Sequence, residues 1–396
     1  MSVSKLEQND RDGKPRLLAC LGAAWPGNDA SGPNRSFAAF ATAFAEEYDI
    51  SLLARATPFG AAPSGRPDHS WFARDNYRVR YLAGTPLAVR GLLGALRGTA
   101  HDLVLLNGFF DREFTIPTLL ARRLRLVPRR AVILSPRGEF FGGARGLKGG
   151  RKSIWLAFVR TTGLLRDVII YATSDAERDA IIAADIGAKA IVVAPNISPS
   201  IVPPTRVQSE NDVLRVIFVG RISPVKNLDL ALSILAQVRT SVRFDVVGPE
   251  QDVDYAVRCR ALAATLPPHV AVHWHGAISA EQVPDYLARA DLLFLPSKSE
   301  NFGHSIFEAL RCGTPVLVGQ ETPWRGLADD GAGFDLPLDQ PDKFADAIER
   351  VATFSRAERI AASAAARVRA ERYLASSNAV ARNRAMIRSA LGLAQC

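Results

Sequence analysis

RVIFVGRISPVKN, residues 215–227, opens on a run of β-branched and aromatic residues that stops at Gly220, and a basic loop then leads into a helical pattern. A short, unbroken apolar run followed by a glycine fits a strand buried on both faces, as strands of parallel sheets are. The same rhythm extends in both directions. Counting Leu214–Val219 first, the strands expected downstream are Phe244–Val247, Val270–His275, Leu292–Leu295 and Pro315–Val318, with helices near Asn227–Val238, Asp254–Leu266, Ala280–Arg289 and Ser305–Arg311. Upstream, strands are expected at Arg16–Leu21, Ile50–Ala54, Val79–Leu82, Leu103–Leu106, Ala131–Leu134, Val168–Tyr171 and Ala190–Val193. Helices are expected between them at Ser36–Glu47, Pro86–Leu96, Ile116–Leu126, Lys152–Leu164 and Asp175–Ile186. Alternation of this kind points to parallel sheets with crossover helices. The C-terminal stretch, rich in Ala and Arg, reads as helix throughout.

Between the two series lies PNISPSIVPPTRVQSEND, Pro195–Asp212, which has no apolar periodicity and reads as an interdomain linker. With 396 residues the chain exceeds what one hydrophobic core serves. Two doubly wound domains are therefore expected, and the ligands of such sheets sit outside the carboxyl ends of the strands.

Apolar residues make up 48% and charged residues 22%, an ordinary globular balance. No apolar stretch approaches the roughly 18–20 residues of a membrane helix. The polar N-terminus lacks the layout of a signal peptide, and four scattered cysteines without metal-type spacing favour reduced thiols in cytoplasm. The net charge of +9 is concentrated. Arg122, Arg123, Arg125, Arg129 and Arg130 form one cluster; Arg137, Arg145, Lys148, Arg151 and Lys152 form a second, opposed by Glu139 alone. Such a patch suits an anionic membrane surface or a lipid diphosphate, or is a merely solvated face. Nucleic acid is not expected, because no recognition motif or aromatic–basic interleaving accompanies the charge.

Two stretches carry chemistry. After the strand ending at Gly220, Arg221 and Lys226 lie five residues apart on the loop before a helix. A diphosphate needs fixed cations and backbone donors at a helix start, and this loop offers both. In PSKSENFGHSIFEALRCG, Pro296–Gly313, Glu300 lies in a loop and Glu308 in the helix that follows. Carboxylates accept hydrogen bonds from vicinal hydroxyls, which ribose and hexoses both present. Gly303 lets a backbone approach a ligand closely. The competing account is capping, with Ser299 or Asn301 as N-cap and Glu308 in a surface pair. His273 and His275 alternate on one strand face but make an incomplete metal set, with no carboxylate or thiol partner evident nearby, so no metal is expected.

Together, the basic loop, the Glu–x7–Glu pair with Asn-Phe-Gly after its first member, and the Gly-Thr-Pro-Val at 313–316 resemble family 4 of the retaining glycosyltransferases. Those enzymes have the GT-B fold: two Rossmann-like domains facing across a cleft. The similarity spans about Val213–Val351; the Ala194–Asn196 tripeptide and the Ser31–Ser36 loop, SGPNRS, also fit. The resemblance implies an acceptor domain over 1–197, a nucleotide-sugar domain over 198–375, and a last helix in 376–396 crossing back to the first. It implies that Arg221 and Lys226 hold the donor diphosphate and that Glu308 binds the ribose. Glu300, with the backbone of Asn301, Phe302 and Gly303, would bind the transferred sugar, and the glycine loop from Gly32 to Arg35 would close over the leaving group.

One departure stands out. Many members carry a donor-contacting histidine after the strand that corresponds to Ala131–Leu134, whereas this chain has Ser135-Pro136-Arg137-Gly138-Glu139. A subgroup with a similar PRGEF segment makes Arg137 and Glu139 candidates for acceptor or donor-sugar contact; the alternative is an Arg–Glu arrangement that orders the loop. The expectation is a metal-independent, cofactor-free, retaining transferase at the inner membrane face. It would move a hexose from a UDP- or GDP-sugar to a hydroxyl of a glycan or lipid-linked glycan in polysaccharide biosynthesis. A sugar-nucleotide epimerase of the same fold and a non-catalytic nucleotide-sugar-binding protein are the rivals.

Overall fold

The computed structural model describes residues 13–25, 32–57, 70–82, 89–141, 150–188, 190–199, 203–206 and 213–392. Ser31, Arg145, Lys148, the N-terminal dozen residues and parts of the expected linker lie outside these. The chain divides into two compact units, residues 1–199 with 378–396, and residues 200–377.

In the first unit the sheet order is β3-β4-β2-β1-β5-β6-β7-β8. Its strands are β1 (Arg16–Leu21), β2 (Asp49–Arg55), β3 (Phe72–Ala73), β4 (Arg78–Leu82), β5 (Leu103–Asn107), β6 (Ala131–Ser135), β7 (Val168–Ala172) and β8 (Ala190–Val193). Every pairing is parallel except β3 with β4. The helices are α1 (Gly32–Phe44), α2 (Val89–Gly98), α3 (Thr115–Arg123), α4 (Gly150–Thr162), α5 (Asp175–Ala184) and, after the second unit, α12 (Ala379–Leu391). Because successive strand residues point to opposite faces, β1 serves two cores at once. Leu17, Ala19 and Leu21 join Phe37 and Phe44 of α1 and Met386 and Ile387 of α12. Leu18 and Cys20 join Leu92 of α2, Leu119 of α3, Leu156 of α4 and Ile181 of α5.

The second unit has a wholly parallel sheet of order β11-β10-β9-β12-β13-β14. Its strands are β9 (Leu214–Val219), β10 (Val242–Val247), β11 (Val270–Gly276), β12 (Leu292–Leu295), β13 (Val316–Gly319) and β14 (Gly333–Leu336). Its helices are α6 (Leu228–Leu235), α7 (Val253–Ala264), α8 (Val283–Arg289), α9 (His304–Cys312), α10 (Pro341–Ala352) and α11 (Arg356–Ser377). The four-residue strands β12 and β13 are buried at every position, which is why they read as plain apolar runs.

Three features depart from expectation. Residues Gly32–Arg35 form the first turn of α1 rather than a loop before it. β3 is an exposed antiparallel edge strand with no apolar alternation. β14 begins at Gly333, whose φ of +142° and contact with β13 admit only glycine.

The C-terminal helix is held by more than apolar contact. Asn383, fully buried, donates from Nδ2 to the Pro195 carbonyl at 2.8 Å. Asn383→Ala leaves that carbonyl buried without its donor, so a loss of about 1–3 kcal/mol is expected in urea unfolding of the full chain.

Candidate functional site

The first half of the site is the loop after β9. Gly220 N donates to Val247 O at 3.0 Å, and Ile222 N to Pro249 O at 2.9 Å, so the chain leaves β9 still tied to the end of β10. That closeness depends on Gly248: a Cβ there would lie 2.0 Å from the Gly220 carbonyl oxygen, at a φ of +145°. Past this point Arg221 is exposed and donates from Nη1 to Gln251 Oε1 at 2.6 Å. Lys226 folds back, its stem carbons in contact range of Gly220, and Asn227 takes a left-handed φ of +59° to launch α6.

The second half follows β12. Lys298 N donates to Val225 O at 2.8 Å and joins the two loops. Glu300 Oε1 accepts from Lys226 Nζ and from the buried Ser297 hydroxyl at 2.8 Å. The ion pair is largely shielded, with side-chain exposures of 14% for Lys226 and 8% for Glu300. Both of Glu300's side-chain hydrogen bonds use Oε1; among the described residues Oε2 accepts none. Two loops 74 residues apart in sequence thus bring together a lysine, a carboxylate and a hydroxyl at the carboxyl ends of β9 and β12.

Gly303 stands at the N-cap of α9 with φ +78°, and no side chain caps that helix. The capping account through Ser299 or Asn301 is therefore not what the chain adopts. Phe302 turns inward, its ring 5.6, 5.7 and 5.5 Å from those of Phe307, Trp324 and Tyr373, while Trp324 Nε1 donates to the Phe302 carbonyl at 2.6 Å. With that ring committed to the core, the segment 301–303 offers a ligand backbone amides at a helix start. Glu308 is 1% exposed, which excludes the surface pair. One turn further on, burial and the Glu308 charge push the Cys312 thiol up to about 12. Sequence reading missed Ser297, Gln251 and Trp324; the first two sit at strand ends, where position alone marks them for attention.

In the first unit, the PRGEF loop is latched at three points. Arg137, at a left-handed φ of +57°, donates from Nε to Asn107 Oδ1 at 3.0 Å and from Nη1 to Asn196 Oδ1 at 2.6 Å, with its guanidinium over the Tyr171 ring. Gly138 N donates to the fully buried Glu177, which also accepts from the backbone and hydroxyl of Thr173 at 2.7 Å each. Glu139 accepts from the amides of Phe109 and Phe110. Arg137 and Glu139 do not pair with each other; each fastens the loop to a different neighbour.

Beside Glu139, burial pushes the Asp111 carboxyl up to about 6, against the amides of Glu113 and Phe114 that favour its charged form. Its unfolded value is near 3.8, so the folded chain retains this proton to higher pH. Stability from this group is full below about pH 4 and falls as pH rises to about 6. Asp111→Asn keeps an acceptor for both amides and removes the titration. Its stability relative to wild type is expected to rise by about 2 kcal/mol between pH 4 and 7, read from urea midpoints.

The basic clusters are not free charge throughout. Arg122 is buried and forms a two-bond pair with Asp167 at 2.8 and 2.7 Å, which Arg129 joins at 3.3 Å. Arg123, Arg125 and Arg130 remain exposed, and Lys152 lies over the Phe110 ring. His275 does have a carboxylate partner, Asp245 at 2.7 Å. Among the described residues no three His, Cys, Asp or Glu side chains gather in a metal-holding group, and no helix is long and apolar enough to cross a membrane.

Residues 205–367 match the family glycosyl transferases group 1. The group 1 match covers most of the second unit and all of both loops. Over 166 residues, 39% of this chain, the sequence is 32% identical to a D-inositol 3-phosphate glycosyltransferase of Streptomyces griseus subsp. griseus. The chain spans about a third of the length of the curated relatives it matches. Among solved structures, sucrose-phosphate synthase from Thermosynechococcus elongatus superposes with a TM-score of 0.72 at 16% identity, covering 95% of this chain and 100% of that one. Anabaena Alr3699/HepE in complex with UDP and glucose gives 0.66 at 16% identity over 96% and 100%. At such identity these structures establish a shared fold of two Rossmann-like units, the GT-B architecture.

Proposed function

We propose that this chain is a retaining glycosyltransferase that moves a hexose from a UDP- or GDP-sugar to a hydroxyl of a glycan or lipid-linked glycan, without a metal or cofactor. The observation that carries the reading is the Lys226–Glu300–Ser297 cluster at the carboxyl ends of β9 and β12, with Arg221 on the same loop as Lys226. A leaving diphosphate needs positive charge fixed before the reaction, and two cations on one loop supply it with little reorganisation. In this reading Glu300 Oε2 would accept from sugar hydroxyls, and the amides of 301–303 would meet an anion or a sugar oxygen. In the step itself the sugar C1–O bond to the diphosphate breaks while the acceptor oxygen bonds to C1 on the same face. The acceptor's proton passes to the departing diphosphate oxygen. No protein base is required; alignment and charge are what the residues contribute.

UDP is the first nucleotide to try, since UDP was bound in the Anabaena structure of the same fold. Thermal shift with UDP, GDP, ADP and CMP, on wild type and on Glu308→Ala, tests the reading. At 100 times its dissociation constant a ligand stabilises by about 2.7 kcal/mol, and one diphosphate is expected to do so for wild type alone. No shift with any nucleotide would remove the proposal, and conversion of the donor sugar without acceptor would replace it with the epimerase.

Peripheral membrane attachment belongs to the same reading. On α4, Ile154 and Phe158 are 70% and 41% exposed, and Leu124 and Leu126 are exposed among the free arginines of the first cluster. Apolar anchors flanked by Arg suit an anionic bilayer surface. Flotation with phosphatidylglycerol vesicles but not with phosphatidylcholine vesicles is expected; equal flotation with both would remove it.

A further inference from the structure

At the opposite end of β9 from the donor loop, arginines outnumber the acids that face them. Arg206 enters from the segment that precedes β9; Arg215 sits on the strand itself; Arg359 and Arg367 come from α11. One buried carboxylate, Asp291, serves three of them: Arg215 Nε at 3.5 Å, Arg359 Nη1 at 3.6 Å and Arg206 Nη2 at 4.0 Å. Arg215 and Arg359 have further tasks: the Arg215 amide bonds the same carboxylate, and Arg359 donates to the carbonyls of Phe354 and Ala352 beyond and at the end of α10. Arg206, only 10% exposed, also donates to Thr314 Oγ1 at 2.9 Å.

Arg367 is different. Its Nε is buried and has no hydrogen-bond acceptor among the described residues. Arg206 and Arg367 line one open cavity of about 510 Å³ with Thr205, Ile360, Ser363 and Ala364. Among the described residues, the pocket therefore presents two guanidinium groups and two hydroxyls and no carboxylate of its own. A buried guanidinium nitrogen without an acceptor costs free energy, and a ligand oxygen that meets it removes that cost. Burial above all, joined by the charges of Arg215, Arg367 and Arg359 and opposed by Asp291, holds the Arg206 guanidinium down to about 10. A bound anion relieves the same repulsion.

We infer that this pocket binds a phosphate-bearing small molecule, a phosphate monoester or a diphosphate, at a site separate from the donor loop. The planar guanidinium fork matches phosphate oxygens in pairs, and the volume lies in the range of small-molecule sites. Six residues of β9 separate the two ends, about 20 Å of strand. The inference does not depend on the transferase reading.

The test uses the full chain carrying Lys226→Met and Glu300→Gln, so that a diphosphate has no lysine to meet at the donor loop. Isothermal titration at low salt uses inorganic pyrophosphate and, separately, glucose 6-phosphate. Saturable one-to-one binding of at least one probe is expected, and the stronger of the two distinguishes diphosphate from monoester. Adding Arg367→Ala should weaken it about tenfold or more, whereas Arg367→Lys should retain most of it. Circular dichroism melts of the ligand-free variants verify that each is folded. Absence of saturable binding, or unchanged affinity in Arg367→Ala, overturns the site.

Discussion

Lys226→Met is expected to lower kcat/KM for sugar transfer by about 10²–10³-fold, because it removes a fixed cation from the position where leaving-group charge develops. The substitution has a second effect. Glu300 is nearly buried against Lys226, and removing one partner of a buried pair costs about 3–5 kcal/mol. Loss of activity alone would therefore not separate chemistry from folding. Adding Glu300→Gln resolves this, since a neutral amide in the same space still accepts from Ser297 and leaves no uncompensated charge. The double variant should recover most of the lost stability and none of the lost activity. Lys226→Met with kcat/KM within threefold of wild type would end its role at the diphosphate.

Gly248→Ala should be equally damaging without altering a charge. The added methyl would sit 2.0 Å from the Gly220 carbonyl oxygen and 2.7 Å from the carbon that bears it. No side-chain rotation relieves a clash with backbone. The φ of +145° is in addition one that alanine avoids. The ends of β9 and β10 must move apart, and with them the turn that aims Arg221 and Lys226. We expect about 3 kcal/mol or more of lost stability, and loss of the nucleotide-induced thermal shift even at temperatures where the variant remains folded. A normal nucleotide shift in Gly248→Ala would mean that the Gly220 turn does not position the donor.

The buried parallel strands were legible because both faces of each are apolar; Arg16–Leu21, Leu214–Val219 and Leu292–Leu295 have the bounds that their apolar runs mark. What escaped was set by tertiary contact. β3 is two exposed residues paired antiparallel with β4, and β14 holds a glycine and an aspartate, residues that strands disfavour. The first turn of α1 reads as a loop because it opens Gly-Pro-Asn. The meeting of Lys226 with Glu300 was foreshadowed only as two loops at strand ends. That they bond, through a lysine folded back over Gly220, depends on the order of strands in the sheet. Glu308's burial was similarly hidden, since a carboxylate one turn into an amphipathic helix ordinarily faces water. Nor does local sequence indicate that Arg122 and Arg137 are engaged by Asp167, Asn107 and Asn196 from distant strand ends.

The three-point latch on the PRGEF loop has a consequence for how this chain tolerates change. Glu139 binds main-chain amides, which any sequence at 109 and 110 other than proline provides, so its fitness effect should be nearly independent of genetic background. Arg137 binds two asparagine side chains, so its effect should be conditional on them: larger alone, milder where 107 and 196 have already changed. Positions 107, 137 and 196 then form one epistatic block, inherited or replaced together. A combinatorial library that varies residue 137 by itself will sample mostly broken loops.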